Sequence, residues 1–507
     1  MSTSTTAADT TSVGSDSTPE QLEATLAAAH AAAPAMAASG PDQRARWLRA
    51  VADALDAAAD GLVPVAMDES GLPEPRLRGE VARSSGQLRM FADALDEGSV
   101  LDVIIDTADP DATPVPRPDL RRMLVPLGPV LVFAAGNFPF AFSVCGGDTA
   151  SALAAGCPVV VKAHPGHPRL SVLTAKLMSG ALREAGAPDG ALDVVFGVET
   201  GVAALRDHRV KASGFTGSVA AGKSLHEVAA NRDEPIPFYG ELGSLNPVFV
   251  LPAAVEARGS AIADGYVASF TLGVGQFCTK PGLLFLPAGH GLRDRLTAAA
   301  GGVPAATMLG ERIHGAFTDG VARLRKRAGL REWVRGTEDG TRASATLLQT
   351  TVPELLEDAE VVLEECFGPT SIVVEYADQD ELVAAASAFG GNLTATIHAE
   401  QQDTQEVAAL LAVVQERAGR VVWNGWPTGV AVTWAMQHGG PFPATVGTIH
   451  SSVGVTAVRR FQRPVSFQDT PQRHLPTVLR DANDLGISRR VDGSVTRDDV
   501  PTAEEAR

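Results

Sequence analysis

Residues 156–163 read GCPVVVKA. Val159, Val160 and Val161 form a short, wholly apolar, β-branched run closed by Lys162, the pattern of a strand buried on both faces. Before it lies a helix-forming stretch from about Ser143 to Ala155. Before that, the apolar run VLVFAA (130–135) follows a turn at Leu127-Gly128-Pro129. After it come a helical stretch (Leu170 to Ala185), strands at Leu192–Phe196 and Val210–Phe215, and a helix from about Ala220 to Ala230. Strands alternating with helices of this length make βαβ units and a parallel sheet. The alternation resumes at LLFLP (283–287), a helical stretch near 315–328, VVLEECFG (361–368), SIVVEY (371–376), a helix over 380–388 and TATIHA (394–399). The fold class is therefore α/β, with two such units.

The first quarter of the chain reads as helical. Thr18-Pro19-Glu20-Gln21 has capping-box spacing with Pro at the first helical position. Helices are expected to about Ala38, from Pro41 to Asp60 with Leu48, Val51 and Leu55 in phase, and from Glu74 to Leu95. Residues 1–17 are polar and Ser/Thr-rich, the composition of a disordered tail. From Val465 onward the chain is polar and arginine-rich, and residues 488–507 are expected to be poorly ordered as well.

The chain has 507 residues, 45% of them hydrophobic and 20% charged, enough for a large core. A formal net charge of -18 argues against nucleic-acid backbones and acidic membrane surfaces as partners. No apolar run approaches the roughly 20 residues that span a bilayer. Cys145, Cys157, Cys278 and Cys366 are far apart with no C-x-x-C pair, so neither a zinc site nor a disulfide framework is indicated. A reducing cytoplasm is the expected compartment.

Several short stretches can carry chemistry. Residues 217–224, GSVAAGKS, satisfy G-x-x-x-x-G-K-[ST], the P-loop of NTPases, with a strand before and a helix after. Lys223 would then hold phosphates and Ser224 a magnesium ion, yet no apolar strand ending in a magnesium-binding Asp follows. A milder reading keeps Gly217, Ser218 and the helix start as a pyrophosphate cradle. Cys278 lies in GQFCTKPG (275–282), where small neighbours let another molecule approach. On that stretch alone it is either a nucleophile or a small buried residue. Asn137 in AGNFPF (135–140) is a turn residue or an oxyanion donor. Glu241 in FYGELGSLNP (238–247) is a general base or a solvated carboxylate. Glu365 and Phe367 fall in EECFGP (364–369). Lys162 falls outside the C-terminal sheet edge, where open α/β folds bind ligands.

Taken in order along one chain, these motifs resemble the aldehyde dehydrogenase superfamily from about residue 20 to about residue 470. FPFAFSVCGGDTASALAAGCPVVVKAHPGHP (138–168), LNPVF (245–249), GQFCTKPG, and NGWPTGV with AMQHGGPFPAT (424–445) are similar to one branch. That branch holds α-ketoglutaric semialdehyde dehydrogenases, the nearer match, and NADP-dependent fatty-aldehyde enzymes. The resemblance implies that Cys278 attacks an aldehyde as thiolate. Asn137 and the Cys278 N–H would hold the oxyanion, and Glu241 would activate the water that hydrolyses the thioester. It places Glu365 at the nicotinamide ribose with Phe367 nearby, Gly217 and Ser218 at the pyrophosphate, Gly222 in close helix packing, and Lys162 at the adenine ribose. No metal is implied.

Pro165 stands where NAD-preferring relatives commonly carry Glu. Without that carboxylate NADP is expected to serve at least as well as NAD, with His164, His167 or Arg169 adding attraction. Gly136 replaces a larger residue and is expected to widen the site. The substrate implied is a small-molecule aldehyde, 2,5-dioxopentanoate going to 2-oxoglutarate, with a medium- or long-chain fatty aldehyde as the alternative. No arginine for a substrate carboxylate stands out in the sequence. The resemblance also implies an NAD(P)-binding unit (18–105 and 127–242), a catalytic unit (243–455), a small β oligomerisation projection (106–126 and 456–475), a tail (476–507), and a homodimer or homotetramer.

Overall fold

A computed structural model describes residues 15–501. The tail expected over residues 1–17 falls outside the described residues up to residue 14. Ser17, its last member, is held: its N–H donates to the Phe196 carbonyl and its hydroxyl accepts from the Phe196 N–H, both at 3.0 Å. The Thr18 capping box forms as the sequence predicts, opening the helix Pro19–Ala38.

Val159–Lys162 is a strand with all four residues buried. It is the fifth strand of a six-stranded sheet in the order 445–446, 238–241, 212–216, 130–133, 159–162, 192–195. All neighbours are parallel except the pair Thr445–Val446 with Phe238–Glu241. The β-branched run sits at a doubly covered position because Pro168–Glu184, Pro41–Ser70 and Glu74–Glu97 close one face and Pro19–Ala38, Val198–Arg206 and Val219–Ala230 close the other. Leu48, Val51 and Leu55 are buried in the core between Pro41–Ser70 and its neighbours, each worth about 1.5–3 kcal/mol of apolar burial. That helix continues through Pro64 to Ser70, ten residues past the expected end at Asp60, because Leu62, Val63 and Ala66 keep its apolar stripe in phase with the core.

A second, seven-stranded sheet runs 331–334, 346–351, 370–376, 283–287, 248–250, 392–398, 418–423. Only its first strand is antiparallel. VVLEECFG does not form a strand: Ala359–Val362 is one helical turn and residues 363–369 are a loop. This loop passes beside the thiol described below. Three helices that the sequence reading did not name, Pro252–Thr271, Arg293–Gly301 and Thr404–Arg417, pack around the sheet.

A five-stranded sheet is built from 462–468, 120–126, 104–106, 489–491 and 494–496. Its last two strands correct the expectation of a poorly ordered C-terminal tail. Composition misled there because the ordering residue is itself an arginine: Arg489 is 1% exposed and donates to the carbonyls of Arg480, Asp481 and Asp498. Among the described residues no helix is long and apolar enough to cross a membrane.

Candidate active site

The chain reaches Cys278 through a tight turn. After the helix Pro252–Thr271 come Gly273, Val274 and Gly275, all at positive φ (58°, 60° and 65°). Gly275 is obligatory: a Cβ there would lie 2.2 Å from the Gly368 carbonyl oxygen. That contact presses the cysteine turn against the loop carrying Glu365 and Phe367. Asn246, also at positive φ, donates from Nδ2 to the carbonyls of Cys278 (2.9 Å) and Lys280 (3.0 Å). The turn is thereby fixed on both sides.

Three residues far apart in sequence converge on the sulfur. Cys278 Sγ lies 3.4 Å from His438 Nε2, which lies 2.8 Å from Glu241 Oε1. The other carboxylate oxygen of Glu241 accepts a 2.7 Å bond from the Ser452 hydroxyl. The ligating atoms of Cys278, His438 and Glu241 all fall within 4.8 Å of one another. Glu241 ends the strand Phe238–Glu241 and is 2% exposed, and His438 is 1% exposed. His438 is carried by a loop that the glycines after it bring close to the sheets. A Cβ at Gly440 would meet the Asn392 carbonyl oxygen at 2.1 Å.

This packing sets the charges. Burial opposes ionisation of Glu241, but His438 and the Ser452 and Cys278 hydrogen bonds outweigh it and bring the carboxyl below its ordinary range. Burial, then the Glu241 charge, push the Cys278 thiol well above the ordinary thiol value, with Arg83 opposing. The resting cluster is a thiol beside a carboxylate base. Burial likewise pushes Cys145 up to about 12 and Cys157 and Cys366 up to about 11, but their thiols donate to backbone carbonyls (Phe140, Phe461 and Phe317) rather than to a base.

Asn137 reaches the same turn. Its Nδ2 donates to the Gln276 carbonyl at 3.1 Å, and its own carbonyl accepts from Arg76 at 2.6 Å. Gly136 does not widen the site. A Cβ there would fall 2.4 Å from the His164 ring, which occupies the space.

Lys162, Gly217 and Ser218 gather elsewhere, at the C-terminal edge of the six-stranded sheet. Lys162 is 9% exposed, and its ammonium makes no hydrogen bond among the described residues. Burial lowers its pKa, the Asp16 carboxylate eases that, and the Arg312 guanidinium adds to it. Gly217 and Ser218 are exposed; Ser218 caps Val219–Ala230, and its hydroxyl accepts from the Ala221 N–H. Gly222 is pressed on Leu242, where a Cβ would overlap Cδ2 at 2.1 Å. The P-loop reading fails on this geometry. The helix begins at Val219, so most of GSVAAGKS is helical, and Lys223 points outward as an exposed residue of it.

The residues expected to help with a 2′-phosphate are otherwise engaged. Burial pushes His164 down to about 3 and also lowers His167, so neither carries charge at neutral pH. His167 hydrogen-bonds the Ala135 carbonyl and Ser171, while Arg169 is tied to Asp68 and Glu69. Pro165 is exposed. Nearer the cysteine, Glu365 lies against Gly243, where a Cβ would sit 2.6 Å from its Oε2. Burial, eased by the Lys280 charge, raises its carboxyl to about 7. Phe367 is half-buried in the same loop.

Cys278, Glu241 and Asn137 thus come together around one turn, with Glu365 and Phe367 on the adjoining loop. Lys162, Gly217 and Ser218 form a separate edge. His438 was missed as a functional residue, although it lies inside AMQHGGPFPAT. Its only sequence signal is a polar ring followed by two glycines, Gly439 and Gly440, that permit close backbone approach.

The chain matches the Aldehyde dehydrogenase family over residues 3–461 and belongs to that family. It is an oxidoreductase of a family that uses NAD or NADP. It is 45% identical over 457 residues to alpha-ketoglutaric semialdehyde dehydrogenase 2 of Azospirillum brasilense, covering 89% of this chain and 87% of that protein. It is 42% identical over 460 residues to alpha-ketoglutaric semialdehyde dehydrogenase of Acinetobacter baylyi, covering 90% and 88%. Among solved structures, methylmalonate-semialdehyde dehydrogenase from Oceanimonas doudoroffii shares the fold with a TM-score of 0.76 at 22% identity, over 90% of this chain and 91% of that one.

Proposed function

We propose that this chain oxidises 2,5-dioxopentanoate to 2-oxoglutarate with NADP, through a thioester on Cys278. The observation that carries the reaction is the Cys278–His438–Glu241 cluster, in which a thiol lies beside an ionised, buried base. The substrate rests on what the two relatives above are named for.

The thiol proton passes directly to Glu241, whose carboxylate accepts a bond from the Cys278 thiol, as the sulfur attacks the aldehyde carbon. The new C–S bond opens the carbonyl to an oxyanion. Asn137 has a second N–H beyond the one given to Gln276, and that donor together with the Cys278 backbone N–H suits the developing charge. When bound, the nicotinamide cofactor accepts the hydride that leaves this carbon. Glu241 releases the thiol proton to solvent and, ionised again, takes a proton from water as the water oxygen bonds the thioester carbon. The C–S bond breaks, and the sulfur recovers its proton. Splitting the oxidation into capture and hydrolysis makes each step easier.

The cofactor edge suits a dinucleotide. The exposed Gly217–Ser218 turn at a helix N-terminus favours phosphate, the unpartnered Lys162 ammonium favours ribose hydroxyls, and Glu365 with Phe367 lies near the thiol for the nicotinamide end. NADP is favoured because Pro165 offers no carboxylate and Arg312 adds positive charge beside Lys162, against which only Asp16 counts. The edge strand Ala418–Trp423, with Val421 and Trp423 exposed, suits a second copy in a homodimer or homotetramer. Four free cysteines suit a reducing cytoplasm. We further propose that the six-stranded sheet serves the cofactor and the seven-stranded sheet the aldehyde, with the five-stranded sheet projecting for assembly.

The test is an aldehyde panel with NADP and with NAD, followed by the absorbance of reduced cofactor. Fastest turnover of 2,5-dioxopentanoate with NADP is expected. Preference for long-chain aldehydes would replace the substrate, and strong NAD preference would overturn the cofactor.

A further inference from the structure

Three arginines surround the nucleophile, and two of them are engaged. Arg76 is paired with Glu80 at 3.2 Å, bonded to the Asn137 carbonyl and stacked on Phe138 and Phe277. Arg420 clamps the carbonyls of Pro427 (2.6 Å) and Gly429 (3.2 Å). Arg83, two turns along from Arg76 on the helix Glu74–Glu97, makes no hydrogen bond and no ion pair among the described residues. Its Nε and Nη2 are buried without a partner. Its guanidinium lies 5.2 Å from the centroid of Phe142, a ring that also packs 6.4 Å from His438. One aromatic ring therefore separates this free cation from the catalytic cluster. Its charge reaches the sulfur, favouring the Cys278 thiolate against burial and Glu241.

The Glu80 and Glu241 charges act on this half-buried guanidinium without bonding it, and buried donors left without a hydrogen-bond partner are costly and are explained where a ligand supplies one. The planar fork of arginine matches a carboxylate with two parallel hydrogen bonds. One turn further along the same helix face, Gln87 is buried and its Nε2 is also without a partner, a second donor beside the first.

We propose that Arg83 is the anchor for the carboxylate of the substrate, so that the enzyme selects aldehydes bearing an acid group at the far end. This rests on the reading that Cys278 oxidises an aldehyde. A short chain would span from the sulfur, past Phe142, to the guanidinium. The net charge of -18 makes such a local cation necessary if an anion is to enter at all.

The test compares 2,5-dioxopentanoate with pentanal, a neutral aldehyde of the same carbon number, on the unaltered enzyme, Arg83→Met and Arg83→Lys. Any general effect of Arg83 on the thiol acts on both substrates and cancels in the ratio of their kcat/KM values. That ratio should fall about 100-fold in Arg83→Met, mostly through KM, with Arg83→Lys in between. Calorimetry with 2-oxoglutarate gives a readout that needs no turnover: the unaltered protein should bind it and Arg83→Met should lose that binding. An unchanged ratio, or an equal loss for both aldehydes, would overturn the proposal. Absence of turnover with Arg83-dependent 2-oxoglutarate binding would remove the oxidation and keep the anchor.

Discussion

The cluster around Cys278 and the edge around Lys162 are both polar, and they are built in opposite ways. In the cluster both carboxylate oxygens of Glu241 are engaged, by His438 and by Ser452, and the cysteine turn is pinned by Asn246 and by the contact of Gly275 with Gly368. At the edge the Lys162 ammonium has no hydrogen bond among the described residues, and Gly217 and Ser218 face solvent. A cluster completed by the protein's own atoms is preorganised for a reaction. An edge left incomplete is suited to a ligand. Changes in the first should therefore alter rate, and changes in the second affinity.

The largest effect should come from Cys278→Ala, which should lower kcat by about ten-thousand-fold or more; near-normal turnover would place the nucleophile elsewhere. Glu241→Gln follows, with kcat down about 100- to 1000-fold and a first burst of reduced cofactor seen by stopped flow, because the thiol, no longer raised by the Glu241 charge, then ionises to solvent while hydrolysis has lost its base. The same variant sharpens the electrostatic claim. The Glu241 charge raises the thiol pKa, so removing it must lower that pKa. The midpoint of Cys278 alkylation by iodoacetamide should move to lower pH in Glu241→Gln, and no movement would break the coupling. His438→Asn should cost about 10- to 100-fold in kcat with cofactor KM little altered. Lys162→Ala, on the other side of the comparison, should raise cofactor KM about tenfold and leave kcat near its original value. A large kcat loss there would erase the distinction.

How far the sequence carried depended on what each residue type announces. Val159–Lys162 was legible because a β-branched run admits few structures, and Gly222 because helix packing against Leu242 leaves room for nothing larger. Cys278, Glu241 and Asn137 could be named, but their convergence could not be read, since it depends on a turn with three successive positive φ angles. Burial was the main thing hidden. His164 and His167 look like cations in a string of letters and are neutral once enclosed. Arg83 looks like one more solvated position on an arginine-rich helix, and only the structure shows its half-buried guanidinium, with Nε and Nη2 unpartnered, stacked on Phe142 beside the cluster. Arg489 reads as part of a tail because its three carbonyl partners lie at turns that no local pattern marks.

The proposed route carries the aldehyde through a thioester on Cys278 that Glu241 helps to hydrolyse. It is tested most directly by acid-quenching Glu241→Gln with NADP and 2,5-dioxopentanoate and measuring intact and peptide masses. One 2-oxoglutaryl group is expected on the peptide containing Cys278, formed together with one equivalent of reduced cofactor. Reduced cofactor without an adduct, or an adduct on Cys145, Cys157 or Cys366, would contradict it.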